Sequence, residues 1–542
     1  MKKSTVLKIQ PIGGVGQIGS NMLLLKGQKT SAIIDCGILF PDDDSFGLDY
    51  LIPDLSKLEE PEYLLITHGH EDHIGAIAHV LEHFPNIKIW APPFAAELIR
   101  NKLNYKGLTA TVNIFDYQRP LVIDNLEIHT IRVNHSIPDT YGLLINEGES
   151  QTSVFYISDF KVDLDPLYEP PFDFKKLKKL SDKSSQKILF ADSTNILSSK
   201  THTPTEKDLL PDLEELLTNH SERIFITTFS SNINRIQSIH DLCKKLGRKL
   251  VPYGRSMENY IKMAIKTGFF NADPNTLKEA KSYRDDDNLV ILVSGCQGDF
   301  RSTLRRVVTG NDSKFNLNSK DLLVFSSKTI PGNEKGIQQL INTAALEGAS
   351  VITAHEKLIH ASGHPGKDDL LKLFNEFNPD SIIPIHGEAS FLRGHCQFIE
   401  ENYQSAKAVF MTNFDSLILD RDGSSSLQSE ESYPPLLMHG KGISITKEDL
   451  SKRRKLASLG IFILSINIDS TKKRSAEFVF DSIGLPKEHL PGDIEMNKFI
   501  SSQLVFNKSN NLEYFAENLR ISVRKYLSQN LGYKPITVVH YV

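Results

Sequence analysis

The chain has 542 residues, of which 40% are hydrophobic and 24% are charged. These proportions are ordinary for a globular protein, and they exclude a collagen-like, disulfide-scaffold or wholly disordered chain. At one domain per roughly 150 residues, the length predicts three or four domains, and the net charge of -5 lacks the basic surplus that is typical of nucleic-acid-binding proteins.

Short strand patterns dominate residues 1–205. Apolar runs such as VLKIQPI, EYLLITH and SVFYISD recur at short spacing with Gly, Asp or Asn at the breaks, which predicts β-strands. Apolar residues that recur every three or four positions predict helices over residues 74–84 and 93–103. We therefore expect a first α/β domain in which strands dominate and helices follow some of them.

Longer helices alternate with buried strands between residues 206 and 353. Helical patterns at 206–218 and 234–246 are interspersed with the runs IFITTF, LVILVSG and LLVFSS, which predicts βαβ units around a parallel sheet. We expect a second domain here, after which an α/β pattern resumes over residues 354–419.

The last part of the chain differs in charge. Residues 420–436 are rich in Ser, Glu, Asp and Pro and predict a linker. Residues 437–542 predict a small α+β domain with 16 Lys and Arg against 10 Asp and Glu, so the rest of the chain carries a net charge of -11. Charge is therefore segregated along the chain.

The cysteines and the N-terminus indicate the compartment. The four cysteines lie far apart and form no CxxC pair, so we expect neither a zinc ribbon nor a disulfide framework. Two N-terminal lysines precede no apolar segment, and the longest apolar run, around residues 459–468, is about half of a membrane span. We expect a cytoplasmic protein with no membrane partner.

The residues that point most directly to chemistry lie in the run THGHEDH at residues 67–73. Three imidazoles and a carboxylate, which suit zinc or a similar divalent ion, follow the strand pattern EYLLIT and precede a helical pattern. His135, Asp159 and His386 follow or end later strand patterns, where sites in α/β sheets usually lie. Each of these is more often structural when it occurs alone, but together with the run they predict a site for two metal ions.

This order of ligands resembles the metallo-β-lactamase superfamily, whose hallmark is HxHxDH followed by a distant His, Asp and His. Asp35 in SAIIDCG matches the early structural Asp of that superfamily. Two metal ions about 3.5–4 Å apart can activate water and stabilise the charge of an in-line displacement at phosphorus, so hydrolysis is the expected chemistry. The resemblance implies that one zinc is held by His68, His70 and His135, that the other is held by Asp72, His73 and His386, and that Asp159 bridges them.

The long segment between Asp159 and His386 narrows the resemblance. Asp192 in FADSTN, His364 in HASGH and His386 in PIHGE resemble motifs A, B and C of the β-CASP nucleases. The strings PIGGVGQIGSNM, TFSSNINRIQ and HASGHPGKDDL then make essentially the whole chain similar to the bacterial ribonuclease J family.

The family resemblance implies a domain organisation. A metallo-β-lactamase αββα core over residues 1–205 and 354–419 would be interrupted by a β-CASP α/β domain over residues 206–353. A linker over residues 420–436 and a small C-terminal α+β domain over residues 437–542 would follow.

The resemblance also implies a function. It is that of a zinc-dependent ribonuclease with 5′-3′ exonuclease and endonuclease activity in rRNA maturation and mRNA decay. The family prefers RNA with a 5′ monophosphate, and it would hold two Zn²⁺ per subunit, with Mn²⁺ or Mg²⁺ as alternatives in the cell. The implied assembly is a homodimer or homotetramer, with other RNA-decay proteins as further partners.

By the same resemblance, the catalytic residues are His364, Asp192 and Asp72. An imidazole can donate a proton to a leaving oxygen at neutral pH, and Asp192 would hold the His364 ring in orientation. The loop at residues 360–364 offers hydroxyl, imidazole and Gly-flanked backbone donors to RNA phosphates. Its residues are His360, Ala361, Ser362, Gly363 and His364.

Several other residues are candidates for RNA binding. Ser231 and Asn232 could bind a 5′ phosphate at the start of a helix, or they could act only as ordinary helix caps. The basic runs at residues 452–455 and 472–474 could attract RNA or only solubilise the surface. The same two alternatives, RNA path or solvated surface, apply to Arg235, Arg301, Arg305 and Arg306.

Two hypotheses follow for the function. The first is an active ribonuclease, favoured by the complete ligand set together with His364 and Asp192. The alternative is a weakly active RNA-binding subunit that supports a paralogous nuclease. His439 stands where the family often has an Asp that joins Asp49 in a calcium site, so calcium is not expected.

Overall fold

The computed structural model describes residues 5–41, 45–283, 288–330, 332–440, 442–468, 476–504 and 512–541. The chain divides into a larger unit, residues 1–42 and 51–435, and a smaller unit, residues 43–50 and 436–542. Among the described helices, none combines the length and hydrophobicity that crossing a lipid bilayer requires.

The first part of the chain is rich in strands, as its short apolar runs predict. Its elements are β1 (Thr5–Gly13), β2 (Val15–Gly16), β3 (Met22–Lys26), β4 (Ser31–Ile34), β5 (Tyr50–Ile52), β6 (Tyr63–Leu65), α1 (Glu71–Ile74), α2 (Ile77–His83), β7 (Lys88–Ala91), α3 (Pro93–Tyr105), β8 (Val112–Ile114), β9 (Leu121–Ile123), β10 (Leu126–Val133), β11 (Thr140–Glu147), β12 (Thr152–Ile157), α4 (Phe174–Ser181) and β13 (Gln186–Asp192).

Helices and strands then alternate through the middle of the chain. The elements are α5 (Leu210–Asn219), β14 (Ile224–Thr227), α6 (Ile233–Leu246), β15 (Lys249–Tyr253), α7 (Arg255–Thr267), β16 (Leu289–Val293), α8 (Thr303–Val308), β17 (Leu322–Phe325), α9 (Glu334–Leu346) and β18 (Ser350–Thr353). The strands pair in parallel in the order β15-β16-β14-β17-β18, which confirms the parallel sheet that the alternation predicts.

The chain then returns to the sheets of its first part. The returning elements are α10 (Lys367–Phe377), β19 (Ser381–Ile385), β20 (Gly387–Glu388), α11 (Ala389–Asn402), β21 (Lys407–Ala408), β22 (Asp415–Asp420) and β23 (Ser425–Ser429). One sheet has the order β23-β22-β1-β3-β4-β6-β7-β8 and the other has the order β21-β19-β13-β12-β11-β10-β9. The segment at residues 420–436, expected to be a linker, contains the strand β23. The sequence did not predict this strand because all of its residues, SSLQS, are exposed and show no alternation of apolar residues.

These two sheets pack face to face and are covered by helices on their outer faces. Ile9 and Leu25 of one sheet share a buried core with Leu143 and Phe190 of the other. Helices α2 and α3 cover the first sheet, and helices α4, α10 and α11 cover the second. The helix–sheet–sheet–helix order confirms the expected αββα core.

Pairing between β19 and β13 brings distant parts of the sequence together. The two strands are parallel, and Asp192 at the end of β13 is opposite Ile385 at the end of β19. Strand β12 lies parallel to β13 on the other side. Because the carboxyl ends of parallel strands meet at one edge of a sheet, the residues that follow β12, β13 and β19 lie close together.

The smaller unit combines a helical layer with short strands, as expected for an α+β domain. Its elements are β24 (Leu436–His439), β25 (Ile443–Ile445), α12 (Lys447–Leu459), β26 (Ile461–Ile468), β27 (Ala476–Ile483), α13 (Asp493–Gln503), α14 (Leu512–Leu531) and β28 (Ile536–Tyr541). Strand β26 lies between β27 and β28, and the buried residues of this sheet pack against α13 and α14.

Candidate metal centre and active site

The seven predicted metal ligands converge at the ends of strands from both sheets of the αββα core. They form two clusters in which the potential ligand atoms lie within 4.8 Å of one another, and both clusters include Asp159. The first cluster is His68, His70, His135 and Asp159, and the second is Asp72, His73, Asp159 and His386.

The first cluster has the dimensions of a tetrahedral metal site. His70 Nδ1 lies 3.2 Å from His68 Nε2 and 3.1 Å from His135 Nε2. Asp159 Oδ2 lies 3.5 Å from His135 Nε2. A tetrahedral ion with bonds of about 2.0–2.1 Å holds its ligand atoms about 3.3–3.4 Å apart, so these four side chains fit a divalent metal ion.

The second cluster is similar in size but contains two carboxylates. Asp159 Oδ1 lies 3.0 Å from His73 Nε2 and 3.6 Å from His386 Nε2. Asp72 Oδ2 lies 3.3 Å from His386 Nε2. Asp159 therefore directs Oδ1 to this cluster and Oδ2 to the first, which is the arrangement of a bridging carboxylate.

The outer nitrogens of the imidazoles are held by neighbouring groups. His73 Nδ1 lies 2.8 Å from Asp35 Oδ2, and His135 Nδ1 donates to the Gly363 carbonyl at 2.6 Å. His386 Nδ1 lies 2.9 Å from the Thr194 hydroxyl. Such contacts fix the ring orientation and leave the inner nitrogen available for a metal.

Two observations test whether these residues fit a cation. Asp159 Oδ1 is buried without a hydrogen-bond partner among the described residues. As a metal ligand, His73 would lose its Nε2 proton while Nδ1 still donates to Asp35. Two acceptors then face each other at 3.0 Å, and a cation between them would satisfy both.

The pKa values of the imidazoles differ between the clusters. Burial lowers the pKa of His68 and His135 well below the usual value and lowers the pKa of His70 to about 4, so these rings are neutral ligands at pH 7. Burial also opposes charge on His73 and His386, but the adjacent carboxylates outweigh it. They raise the pKa of His73 well above its usual value and that of His386 to about 9. The second cluster thus attracts positive charge.

Backbone conformation at the site is unusual at two residues. Asp35 has a φ of 61° and His386 has a φ of 52°. Non-glycine residues seldom adopt this left-handed conformation, and it concentrates at functional sites. Asp35 accepts hydrogen bonds from the backbone N–H and the hydroxyl of Thr67, both at 2.8 Å, so it connects His73 to the start of the HGHEDH run.

His364 and Asp192 form a pair beside the clusters. His364 Nδ1 lies 2.7 Å from Asp192 Oδ2 and 3.8 Å from Asp159 Oδ2. The Asp192 side chain is fully buried, whereas the His364 side chain is 22% exposed. Burial opposes charge on His364, but Asp192 and then Asp159 outweigh it and raise the pKa of the imidazole.

Hydrogen bonds within the loop at residues 360–364 and from Asn195 hold this loop in place. The Ser362 hydroxyl accepts from the Asn195 amide at 3.0 Å and from the His364 N–H at 3.1 Å. A Cβ at Gly363 would lie 2.6 Å from His135 Cε1, so only glycine permits this packing. Ala361 is buried and His360 is half-buried. The loop therefore supports both His135 and His364.

Ser231 and Asn232 behave differently from each other. Ser231 Oγ lies 3.1 Å from His70 Nε2, which connects the start of α6 to the first cluster. Asn232 is buried, and its side-chain oxygen accepts from the Arg235 N–H at 3.1 Å as the N-cap of α6.

The structure contradicts both alternatives for Arg235, because this side chain lies neither on an RNA path nor on a solvated surface. Its guanidinium is fully buried and donates to Glu206 from Nε at 2.6 Å and from Nη2 at 3.0 Å. Nη1 also donates to the Ser326 hydroxyl and the Ile359 carbonyl. Periodicity placed this residue on a helix but did not show which face is covered.

The other basic candidates are more exposed. Arg305 is half-buried and donates to the Gly298 carbonyl, whereas Arg301 and Arg306 are exposed. The run at residues 452–455 lies within α12, where Arg453 is half-buried and the other three residues are exposed. The run at 472–474 lies outside the described residues.

In the smaller unit, His439 Nδ1 lies 3.6 Å from Asp49 Oδ2. The same carboxylate oxygen accepts from the Gly440 N–H at 2.6 Å. A histidine and a backbone N–H therefore already contact Asp49.

Sequence reasoning missed two residues that hold the site together. Asn195 Nδ2 donates to both Ser362 Oγ and the His364 carbonyl, each at 3.0 Å. The Thr194 hydroxyl contacts His386 Nδ1. Both residues lie within three positions after Asp192 in FADSTN, so the motif itself was the available signal.

Three family models match successive parts of this chain. The metallo-beta-lactamase superfamily matches residues 15–138, and the beta-CASP domain of ribonuclease J matches residues 221–344. The Zn-dependent metallo-hydrolase RNA specificity domain matches residues 348–410. The middle model identifies the interrupting domain with the parallel sheet.

Similarities that cover most of the chain agree with these models. A solved structure of a protein of unknown function from Enterococcus faecalis V583 has a TM-score of 0.55 at 13% identity, covering 76% of this chain and 100% of that one, which supports the fold alone. Ribonuclease J of Sinorhizobium meliloti is 28% identical over 99% of this chain and 98% of its own length. Ribonuclease J 1 of Streptococcus pyogenes is 33% identical over 84% of this chain and 82% of its own length. The chain therefore belongs to the ribonuclease J family of metal-dependent ribonucleases.

Proposed function

We propose that this protein is a zinc-dependent ribonuclease with both 5′-3′ exonuclease and endonuclease activity. The observation that carries the proposal is the pair of His/Asp clusters that share Asp159 beside His364 and Asp192. This combination provides metal sites and a titratable donor in one place, as hydrolysis of a phosphodiester requires.

The proposed metal complement is two Zn²⁺ per subunit. His68, His70 and His135 would hold one ion, Asp72, His73 and His386 would hold the other, and Asp159 would bridge them. When bound, such ions supply Lewis-acid polarisation of a phosphoryl oxygen and a more acidic water molecule. The many imidazoles favour zinc, whereas the carboxylates also suit Mn²⁺ or Mg²⁺.

His364 is the proposed proton donor, with Asp192 as its positioning residue and Asp72 as a catalytic metal ligand. The raised pKa of His364 favours the protonated imidazole, with Nδ1 held by Asp192 and Nε2 free of that contact. The ring can therefore donate a proton to the leaving oxygen of the scissile phosphate.

A 5′-monophosphate preference is supported by groups around the first cluster. Ser231 lies at the start of α6 and contacts His70. The 14-residue helix α6 directs its N-terminal N–H groups and positive dipole end toward this region, which favours an anion. We propose that Ser231, Asn232 and the loop at residues 360–364 bind RNA phosphates.

The proposed cellular role is maturation and decay of RNA in the cytoplasm. The four cysteines are free and buried, which is consistent with a reducing compartment. We further propose that the protein forms a homodimer or homotetramer and associates with other RNA-decay proteins.

The proposal predicts metal-dependent cleavage of 5′-monophosphorylated RNA. Purified protein with Zn²⁺ or Mn²⁺ should release mononucleotides from the 5′ end and also cut internally, as resolved on a sequencing gel with either end labelled. His70→Ala should lower the rate by about 10³-fold, because losing a metal ligand removes several kcal/mol of transition-state stabilisation.

His83→Ala is the matched control, because His83 is exposed and outside the described clusters. Cleavage that is absent in the parent protein while RNA binding persists would favour the alternative of a weakly active RNA-binding subunit. Equal rates for the parent and His70→Ala would contradict the assignment of the metal site.

A further inference from the structure

A cleft with a volume of about 590 Å³, distinct from the metal clusters, lies at the edge of the five-stranded parallel sheet. Gly254 and Ser294, which line it, directly follow β15 and β16. Gly254 has a φ of 106°, and a Cβ there would lie 2.7 Å from Ser294 Oγ, so glycine allows the close approach of the two strand ends. Ligands of open α/β sheets bind at this carboxyl edge.

The charge of the cleft is predominantly positive. Glu258 is one acidic lining residue, and buried Asp312 lies behind the lining, with Oδ2 3.3 Å from Arg306 Nε. The cationic lining residues are Arg255, Arg301, Arg306 and Lys314. Within the described parts of the chain, no carboxylate forms an ion pair with Arg255, Arg301 or Lys314.

An exposed aromatic ring adjoins these cations. Phe300 is 79% exposed and precedes Arg301, and the Arg305 guanidinium carbon lies 5.9 Å from its ring centroid. Nucleic-acid bases stack on exposed aromatic rings while cations bind the backbone. Among the described residues that line the cleft, Tyr253 is the only aromatic one, and its hydroxyl already donates to Asp312. The lining therefore suits phosphates better than an enclosed base.

The cleft lies along the same sheet edge as Ser231, which contacts the first metal cluster. Strand β14 is adjacent to β16, and the chain that follows β14 leads to Ser231, which contacts His70. Because neighbouring strands lie about 4.8 Å apart, the ends of β15 and β16 begin about 5–10 Å along the edge from the end of β14. A strand of nucleic acid that follows this edge would reach both places.

The geometry points to an RNA-binding site in this cleft that is separate from the metal clusters. Arg255, Arg301 and Lys314 bind phosphates of a single-stranded segment beyond the nucleotides that occupy the catalytic site, and Phe300 stacks on one of its bases. This inference rests on the proposed function only in taking RNA as the substrate. The site extends the contact to longer RNA and adds affinity that depends on salt.

Binding measurements without cleavage test this inference separately from catalysis. Fluorescence anisotropy in EDTA would compare RNAs of about 4 and about 16 nucleotides, the usual range of site sizes on single strands. In the triple variant Arg255→Ala/Arg301→Ala/Lys314→Ala, affinity for the long RNA should fall by about tenfold or more. The slope of log K against log salt should become shallower by about 2, since each lost contact with a single strand contributes about 0.7.

The matched control removes three exposed cations outside this sheet, in Lys29→Ala/Arg119→Ala/Lys183→Ala. It should retain the affinity and the salt slope of the parent protein for both RNAs. Phe300→Ala should weaken binding of the long RNA by about fivefold or more, as loss of one stacked base does. The unfolding midpoint of each variant, measured by circular dichroism, checks that the fold is intact.

Four results would overturn the inference. Equal loss in the cleft variant and the control would show only non-specific attraction. An equal loss of affinity for short and long RNA would place the cations at the catalytic site. If free mononucleotide competes with RNA for the parent protein but not for the cleft variant, the cleft would be a nucleotide site. A parent protein that binds neither RNA also refutes the site, whereas binding without cleavage would refute only the proposed enzymatic activity.

Discussion

Three imidazoles of the two clusters differ in the group that contacts the Nδ1 atom, which faces away from the cluster. His135 is held by a backbone carbonyl, His386 by a threonine hydroxyl and His73 by a carboxylate. A carboxylate partner raises the basicity of the ring more than a neutral partner does. The second cluster is the more basic one mainly because Asp159 and Asp72, and then Asp35, outweigh burial and raise the pKa of His73 well above its usual value.

At the same scale, Asp192→Asn should change the pH dependence of cleavage. Asp192 raises the pKa of His364, and removing its charge lowers that pKa, so the imidazole loses its proton at lower pH. The alkaline limb of the kcat profile should therefore move to lower pH, and kcat should fall by about 10–100-fold. Initial rates with saturating 5′-monophosphorylated RNA across neutral and alkaline pH would measure both effects.

Asp182→Asn is the control for this profile, because Asp182 is an exposed aspartate at the end of α4. An alkaline limb that stays in place in Asp192→Asn, with kcat alone reduced, would rule out His364 as the titrating proton donor.

Residue types and spacing were enough to predict all seven members of the two clusters. A compact motif supplies four of them, and the other three end or follow strands that the apolar runs reveal. The supporting contacts were not predictable in this way. Asn195 meets Ser362 across 167 positions, and Ser231 meets His70 across 161. Such pairs depend on how the parallel sheet packs on the core, which local patterns do not specify.

Among the secondary-structure elements, α6 has two roles. Its first turn presents Ser231 to the first cluster, and its buried face carries Arg235 into an ion pair with Glu206. Arg235 also donates to the Ile359 carbonyl, directly before the loop at residues 360–364. The helix thereby connects the parallel sheet to the loop that carries His364.

Arg235→Met should therefore destabilise the larger unit. The substitution leaves Glu206 buried without its bidentate partner, and breaking a buried pair in this way costs about 3–5 kcal/mol. Urea unfolding monitored by circular dichroism would measure the change. The double variant Arg235→Met/Glu206→Leu should recover much of the loss, because replacing both charges by apolar groups removes the unpaired carboxylate.

An opposite result would restore the RNA-path interpretation of Arg235. In that case Arg235→Met would leave the free energy of unfolding unchanged and weaken RNA binding instead. The predicted helix at 234–246 was nearly correct in extent, since α6 spans Ile233–Leu246. Its orientation was not predictable, because a buried arginine resembles an exposed one in sequence.

At the scale of the whole molecule, the metal clusters join parts of the chain that are far apart in sequence. Their residues follow strands of both sheets of the core, from His68 to His386, and the chain between Asp159 and His386 includes the entire parallel sheet. All of the described clusters lie in the larger unit, and the smaller unit carries the basic excess. Metal binding should therefore stabilise one unit and not the other.

Calorimetry of the full chain would measure this difference. Treatment with EDTA should lower the unfolding temperature of the larger unit, and adding Zn²⁺ should restore it, whereas the transition of the smaller unit should stay in place. At a free metal concentration about 100 times Kd, the stabilisation is about 2.7 kcal/mol. His70→Ala should shrink this shift, and a shift confined to the smaller unit would contradict the assignment.

The size of the metal-dependent shift should also depend on pH. Neighbouring carboxylates outweigh burial and raise the pKa of His386 to about 9, so without metal this ring carries a proton at neutral pH. A metal must displace that proton, and its affinity should therefore rise as the pH increases toward 9. The EDTA-sensitive shift should accordingly be larger at pH 8 than at pH 6, at about equal free metal concentration. The opposite order would show that His386 is not a ligand that must lose a proton, and the second cluster would then need a different set of donors.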